Sequence, residues 1–147
     1  METIYNKQTI KQFVERIDQL KESDKALFGK MNAYQMLKHC TLSEEMFQGK
    51  KPYKRLLMGV LFGRMALNGI LKDEKPIKKN QPTHPDFKIT GIGDFENQKM
   101  TWVNLLNDYN DFSPINFVHP FFGKMSKEEI GQYIYKHTDH HLRQFGV

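Results

Sequence analysis

Residues 125–144, MSKEEIGQYIYKHTDHHLRQ, constrain the fold of this chain more than any other stretch. Ser126 followed by Glu129 is the Ser-x-x-Glu pattern in which each side chain satisfies a backbone N–H that the first helical turn leaves unpaired, so a helix begins here. Ile130, Ile134, His137, His141 and Gln144 then follow at spacings of four, three, four and three, a stripe that starts apolar and becomes imidazole halfway along. The face that enters the core therefore carries two histidines with it. Residues four apart differ by about 40° around the axis at a rise of roughly 6 Å, so both rings can address one ion. His140 lies about 100° off that line and is expected to be a neighbour or to face solvent. A His-x-x-x-His pair also arises by chance, and the alternative is two partly buried histidines hydrogen-bonded to backbone or carboxylate. A third ligand from elsewhere in the chain would favour the metal.

A chain of 147 residues is the usual size for one domain, expected here over 1–147. The net charge of +5 comes from lysines scattered along the chain, with no recognition helix, zinc-finger spacing or aromatic-basic interleaving, so nucleic acid is not an expected partner. Cys40 is the single cysteine, which excludes an internal disulfide framework and favours a reducing compartment. The start, METIYNKQTIKQF, has charges and amides where a secretory leader needs an apolar run, and a cytoplasmic location is expected.

From Lys7 onward, Ile10, Phe13, Val14, Ile17 and Leu20 mark an amphipathic helix that reads as scaffold. A second helix starts near Asn32, a suitable N-cap, buries Met36, Leu37, Cys40 and Phe47, and stops at Gly49. His39 falls on the edge of its buried face, where it needs a hydrogen-bond partner or a metal. Glu44 and Glu45 read as solvated, with the alternative of orienting a ligand imidazole. Cys40 reads as a small buried hydrophobe. Residues 55–71, RLLMGVLFGRMALNGIL, are the most apolar, but Arg64 interrupts them far short of a bilayer span, and no membrane partner is expected. Gly59 and Gly63 in a G-x-x-x-G arrangement are expected to admit a neighbouring helix closely, and with the apolar residues around them they suggest a homodimer.

Residues 72–95 carry Pro76, Pro82 and Pro85 without a sustained period, and are expected to form an ordered flap. Lys75, Lys78, Lys79, Thr83 and His84 offer charge and donors to an anionic ligand, and a solvated basic loop is the alternative. A further helix over 96–109 should turn Met100, Trp102, Val103 and Leu106 inward. Residues 110–125 are an aromatic-rich connection broken by Pro114, Pro120 and Gly123, with His119 pointing in a direction the sequence leaves open.

Helices with no strand-like alternation between them indicate an all-α bundle. A histidine in the second helix within GKMNAYQMLKHC, the loop HPFFGKMS over 119–126, and a last helix with His137, His140 and His141 followed by Leu142 and Gln144 together resemble the DinB-like superfamily. That superfamily includes bacterial S-transferases that use bacillithiol or mycothiol. The resemblance implies a four-helix bundle, here with an extra helix and a long loop insertion. Matched position by position, it also implies a divalent metal held by His39, His137 and His141. Three imidazoles with an open position suit zinc or nickel. The expected function is then a metal-dependent enzyme that takes a low-molecular-weight thiol as co-substrate and acts on a small molecule. The alternatives are a non-catalytic metal-binding or stress-associated protein, and a metal-dependent hydrolase using the same site, because a shared fold does not establish a shared reaction.

Overall fold

The computed structural model describes residues 1–112, 114 and 116–147; Ser113 and Ile115, within the connection read over 110–125, lie outside the described residues. Helices α1 (Lys7–Asp18), α2 (Ala33–Phe47), α3 (Leu57–Leu71), α4 (Phe95–Asp108) and α5 (Lys127–Gln144) make the described chain all-α. Four of them begin at a side-chain cap: Asn6, Asn32, Asp94 and Ser126 each accept a hydrogen bond from a backbone N–H of the first turn. Asn32 with Gln35, and Ser126 with Glu129, form reciprocal capping boxes. Each cap contributes about 1 kcal/mol and stops the helix from starting a turn earlier. Helix α3 alone starts uncapped, at Leu56.

Helix α2 runs along α4 and touches α5, while α1 closes the other side against α4 and α5, so these four surround one core. Ile10, Phe13 and Ile17 of α1, Met36, Leu37 and Cys40 of α2, Trp102 and Leu106 of α4, and Ile130, Ile134 and Leu142 of α5 are buried there. Burial of each large side chain contributes about 1.5–3 kcal/mol before the unfolded chain's own compaction is discounted.

The rotation of α4 differs from the sequence expectation. Trp102 and Leu106 face inward as expected, but Met100 is 59% exposed. The buried stripe is Phe95, Gln98, Trp102, Leu105 and Leu106. Gln98 hides this stripe from a reading based on hydrophobicity, because its amide is paired: Nε2 donates to Thr41 Oγ1 at 2.6 Å. Glu44 is a second correction. Because α2 is enclosed on most sides, Glu44 is fully buried rather than solvated, and its Oε2 accepts from the Tyr109 hydroxyl at 2.8 Å. Burial pushes its carboxyl up to about 8 against the opposing effect of that hydrogen bond, so the group is mostly protonated at neutral pH.

Outside the four-helix ring, α3 packs on α5 and on a small antiparallel hairpin, β1 (Val118–His119) and β2 (Gly123–Lys124). Gly59, Gly63 and Leu67 form its buried side. A Cβ on either glycine would collide with the Phe121 backbone. The G-x-x-x-G pair therefore admits the hairpin turn rather than a helix or another subunit. Arg55 Nη1 binds the same turn by donating to the carbonyls of His119, Pro120 and Phe121 at 2.8, 3.1 and 3.1 Å. At the far end of α3, the buried Lys136 of α5 donates through Nζ to the carbonyls of Ile70 at 2.5 Å and Asp73 at 2.8 Å, a cation at a helix C-terminus. No helix among the described residues is long and apolar enough to cross a membrane.

Gly63→Ala should lower stability by about 1–3 kcal/mol, because the added methyl displaces the hairpin turn. Gly69→Ala on the exposed side of the same helix meets nothing within 4 Å and should raise stability by about 0.5–1 kcal/mol. Equilibrium urea unfolding of the two variants checks both signs.

Candidate metal centre

The contact between α2 and α5 brings His39 against His137 and His141. All three are buried, and one ligand nitrogen from each lies within 4.8 Å of the other two. His39 Nε2 and His137 Nε2 are 3.3 Å apart. Two nitrogens each about 2.1 Å from a tetrahedral ion sit roughly 3.4 Å apart, so this pair already has the spacing of two ligands. The ring directions are also set. His39 Nδ1 bonds the Phe87 carbonyl at 3.0 Å, and His141 Nδ1 bonds Gln144 Oε1 at 3.0 Å. Both partners are acceptors, so Nδ1 carries the hydrogen in each ring and the Nε2 lone pair is left for the shared centre. The Gln144 amide cannot turn its oxygen away without losing the bond its Nε2 donates to the Phe28 carbonyl at 2.8 Å. His137 is stacked on Tyr133, with ring centroids 5.7 Å apart and planes 16° from parallel.

Burial is the first cause of the electrostatics. It holds His39 below its ordinary value despite the opposing bond to Phe87, and holds His137 and His141 well below theirs. The imidazoles repel one another's protons, which pushes in the same direction. Three neutral rings at pH 7 form a donor set able to hold one divalent ion, and no carboxylate belongs to the cluster to make it an ion pair instead.

A family model described as protein of unknown function (DUF1569) matches residues 6–146. The chain belongs to this family. No curated protein and no solved structure matches it. The span shared with DUF1569 runs from the cap of α1 past the end of α5 and contains all three histidines.

The other candidates of this DUF1569 chain are placed differently. His140 is half-buried beside the Phe28 ring, centroids 5.2 Å apart, and is not a member of the cluster. Lys78 and Lys79 are exposed, and Lys79 Nζ lies over the same Phe28 ring at 4.8 Å, on the His140 side. His84 caps a 3-10 turn, Pro85–Phe87, its Nδ1 accepting from the Asp86 N–H at 3.2 Å. Its part is indirect, since that turn presents the Phe87 carbonyl to His39. Cys40 is buried, and burial followed by Glu44 pushes its thiol well up, as befits an inert core residue. A cavity of about 370 Å³ lined by Thr3, Tyr5, Lys127 and Gln132 lies at the start of α5, and none of the three histidines lines it.

Neither Phe87 nor Gln144 was assigned as a partner from sequence. Phe87 acts through a backbone oxygen, which leaves no side-chain signature. Gln144 did carry a signal, because it stands three residues after His141 on the same stripe. His119 turned out to be a turn former: its Nδ1 accepts from the N–H groups of Phe121 and Phe122, both at 3.1 Å, and its ring stacks on Phe122.

Burial, then the charges of Arg55 and His84, hold His119 down to about 3. A pKa lowered on folding means stability that is present above about 6.5 and lost as pH falls towards 3, at up to about 1.4 kcal/mol per pH unit for this one group. His119→Asn keeps an acceptor near the Nδ1 position without a titrating proton. Urea unfolding between pH 6.5 and 4 should show its slope against pH reduced by up to one proton relative to the parent.

Proposed function

We propose that this protein is a DinB-like, divalent-metal-dependent enzyme that transfers or removes a group through a low-molecular-weight thiol. The observation that carries the reading is the donor set: three buried neutral imidazoles with one ligand nitrogen of each within 4.8 Å of the others, and with Nδ1 of His39 and of His141 committed to an acceptor so that their Nε2 lone pairs are free. It is supported by the helix order, with one histidine from the second helix and a His-x-x-x-His pair from the last, within a four-helix ring to which α3 and the 72–95 flap are additions. Zinc and nickel are the ions that suit such a set. Bound there with a position left open, such an ion supplies Lewis acidity that favours the thiolate form of a thiol and lowers the pKa of water towards about 7.

The chain's own residues prepare that chemistry. Phe87 and Gln144 fix the ring tautomers, and burial keeps the imidazoles unprotonated. The 72–95 flap meets the site through Phe87, whose carbonyl bonds His39 and whose ring lies edge-on to that imidazole. Lys79, whose Nζ lies over Phe28, is the proposed contact for an anionic group of the co-substrate, whereas Lys78 is exposed and His84 caps its turn. A cytoplasmic setting fits a thiol co-substrate and a single buried cysteine. A second reading, a non-catalytic metal-binding protein, is favoured by one observation: the three rings are only 4–9% exposed.

Metal binding and turnover are tested separately. Zinc or nickel at a hundredfold excess over its dissociation constant should raise stability by about 2.7 kcal/mol at pH 7.5 in calorimetry. His137→Ala should remove most of that increment, and His140→Ala should leave most of it. Below pH 6.5 the apo protein should lose stability, because the unfolded histidines take up protons that the buried ones refuse. The metal increment should persist further down and decline only as the lowered native values are reached. Equal metal responses in the parent and the His137→Ala variant would remove the three-histidine site. A normal metal response without conjugation of bacillithiol, mycothiol or glutathione to an electrophile would leave the second reading.

A further inference from the structure

The outward side of α3 is the most unusual surface of the molecule. A helix lying on a protein normally turns its polar face outward. Here Leu57, Met58, Val60, Leu61, Phe62 and Met65 are 45–85% exposed, while the two glycines and Leu67 are the residues turned inward. The inversion follows from the hairpin: only glycine lets the Phe121 backbone approach, so the small residues had to face the protein and the large ones were left outside. Six such side chains present on the order of 600–700 Å² of apolar area, above the usual largest patch on a monomer and close to the about 800 Å² each partner contributes to a stable interface.

We propose that this face of α3 is the contact with a second copy of this chain, related by a two-fold axis. Leu57, Leu61 and Met65 form one row at a spacing of four and Met58 with Phe62 forms the next, the ridge and groove pattern by which two identical helices interlock at a crossing angle of about −50°. The charge around the patch favours a protein partner over a lipid surface. Helices that lie in an anionic bilayer surface do so through a polar face rich in lysine and arginine. Arg64 is the one charged residue within α3, and Glu129 of the same chain holds it. Arg55 is bound to the hairpin carbonyls, and the exposed Lys54 and Lys72 stand at the two ends of the helix rather than along its face. The interface is thus the face opposite the glycines on which the sequence reading placed it.

Sedimentation equilibrium at micromolar concentration should give the parent twice the 17.4 kDa chain mass. Leu61→Asp and Met65→Asp should each weaken the dimer by on the order of a hundredfold, and run as monomers with unchanged helical circular dichroism and zinc response. Ile92→Asp, at an exposed apolar residue of the flap, should leave the dimer intact. A monomeric parent overturns the proposal, and so does a dimer that survives both α3 substitutions. A monomeric parent that pellets with phosphatidylglycerol vesicles, where the Asp variants do not, overturns it in favour of a lipid surface.

Discussion

His39 meets His137 across the α2–α5 contact at 3.3 Å, and much of the local architecture answers to that meeting. Three imidazoles in a buried place have to stay neutral and need a partner for every ring nitrogen, because an unpaired polar group in the core is costly. The Phe87 carbonyl and the Gln144 amide meet part of that need. Each of these partners is in turn held. The 3-10 turn capped by His84 positions Phe87, and the Phe28 carbonyl fixes the Gln144 amide. The flap and the 20–32 connection are thereby tied to the histidines through backbone oxygens.

The same economy governs the rest of the buried polar chemistry. Thr41 receives Gln98 and passes its own hydrogen to the Leu37 carbonyl, and Glu44 stays protonated beside Tyr109. Helix α2, enclosed on most sides, carries much of this, which is why its polar residues resist any reading as an exposed face. Helix α3 shows the opposite case. Its two glycines let the hairpin in, and the price is an apolar surface turned outward.

Much of the fold was legible because helix starts are local events. Asn32 and Ser126 satisfy N–H groups three residues away, a pattern short enough to be read from the chain itself, whereas α1 and α4 were placed by the period of their apolar residues and their caps, Asn6 and Asp94, went unread. The placement of His137 and His141 on one face was legible for the same reason. Met100 was misplaced because Trp102 and the paired Gln98, not summed hydrophobicity, set the rotation of α4. Glu44 was misplaced because a carboxyl that burial keeps neutral is indistinguishable in sequence from a solvated one.

Sequence by itself determined where four of the helices begin, that two histidines of α5 share a stripe, and that Gly59 and Gly63 permit a close approach, since each depends only on periodicity, capping chemistry or the absence of a side chain. Tertiary structure alone decided that His39 completes the set, that a carbonyl from the flap orients it, that a hairpin rather than a helix rests on the glycines, and that α3 turns its large residues outward. Those outcomes join groups 98, 48 and about 60 positions apart along the chain, and no local periodicity encodes which distant surface a side chain will meet.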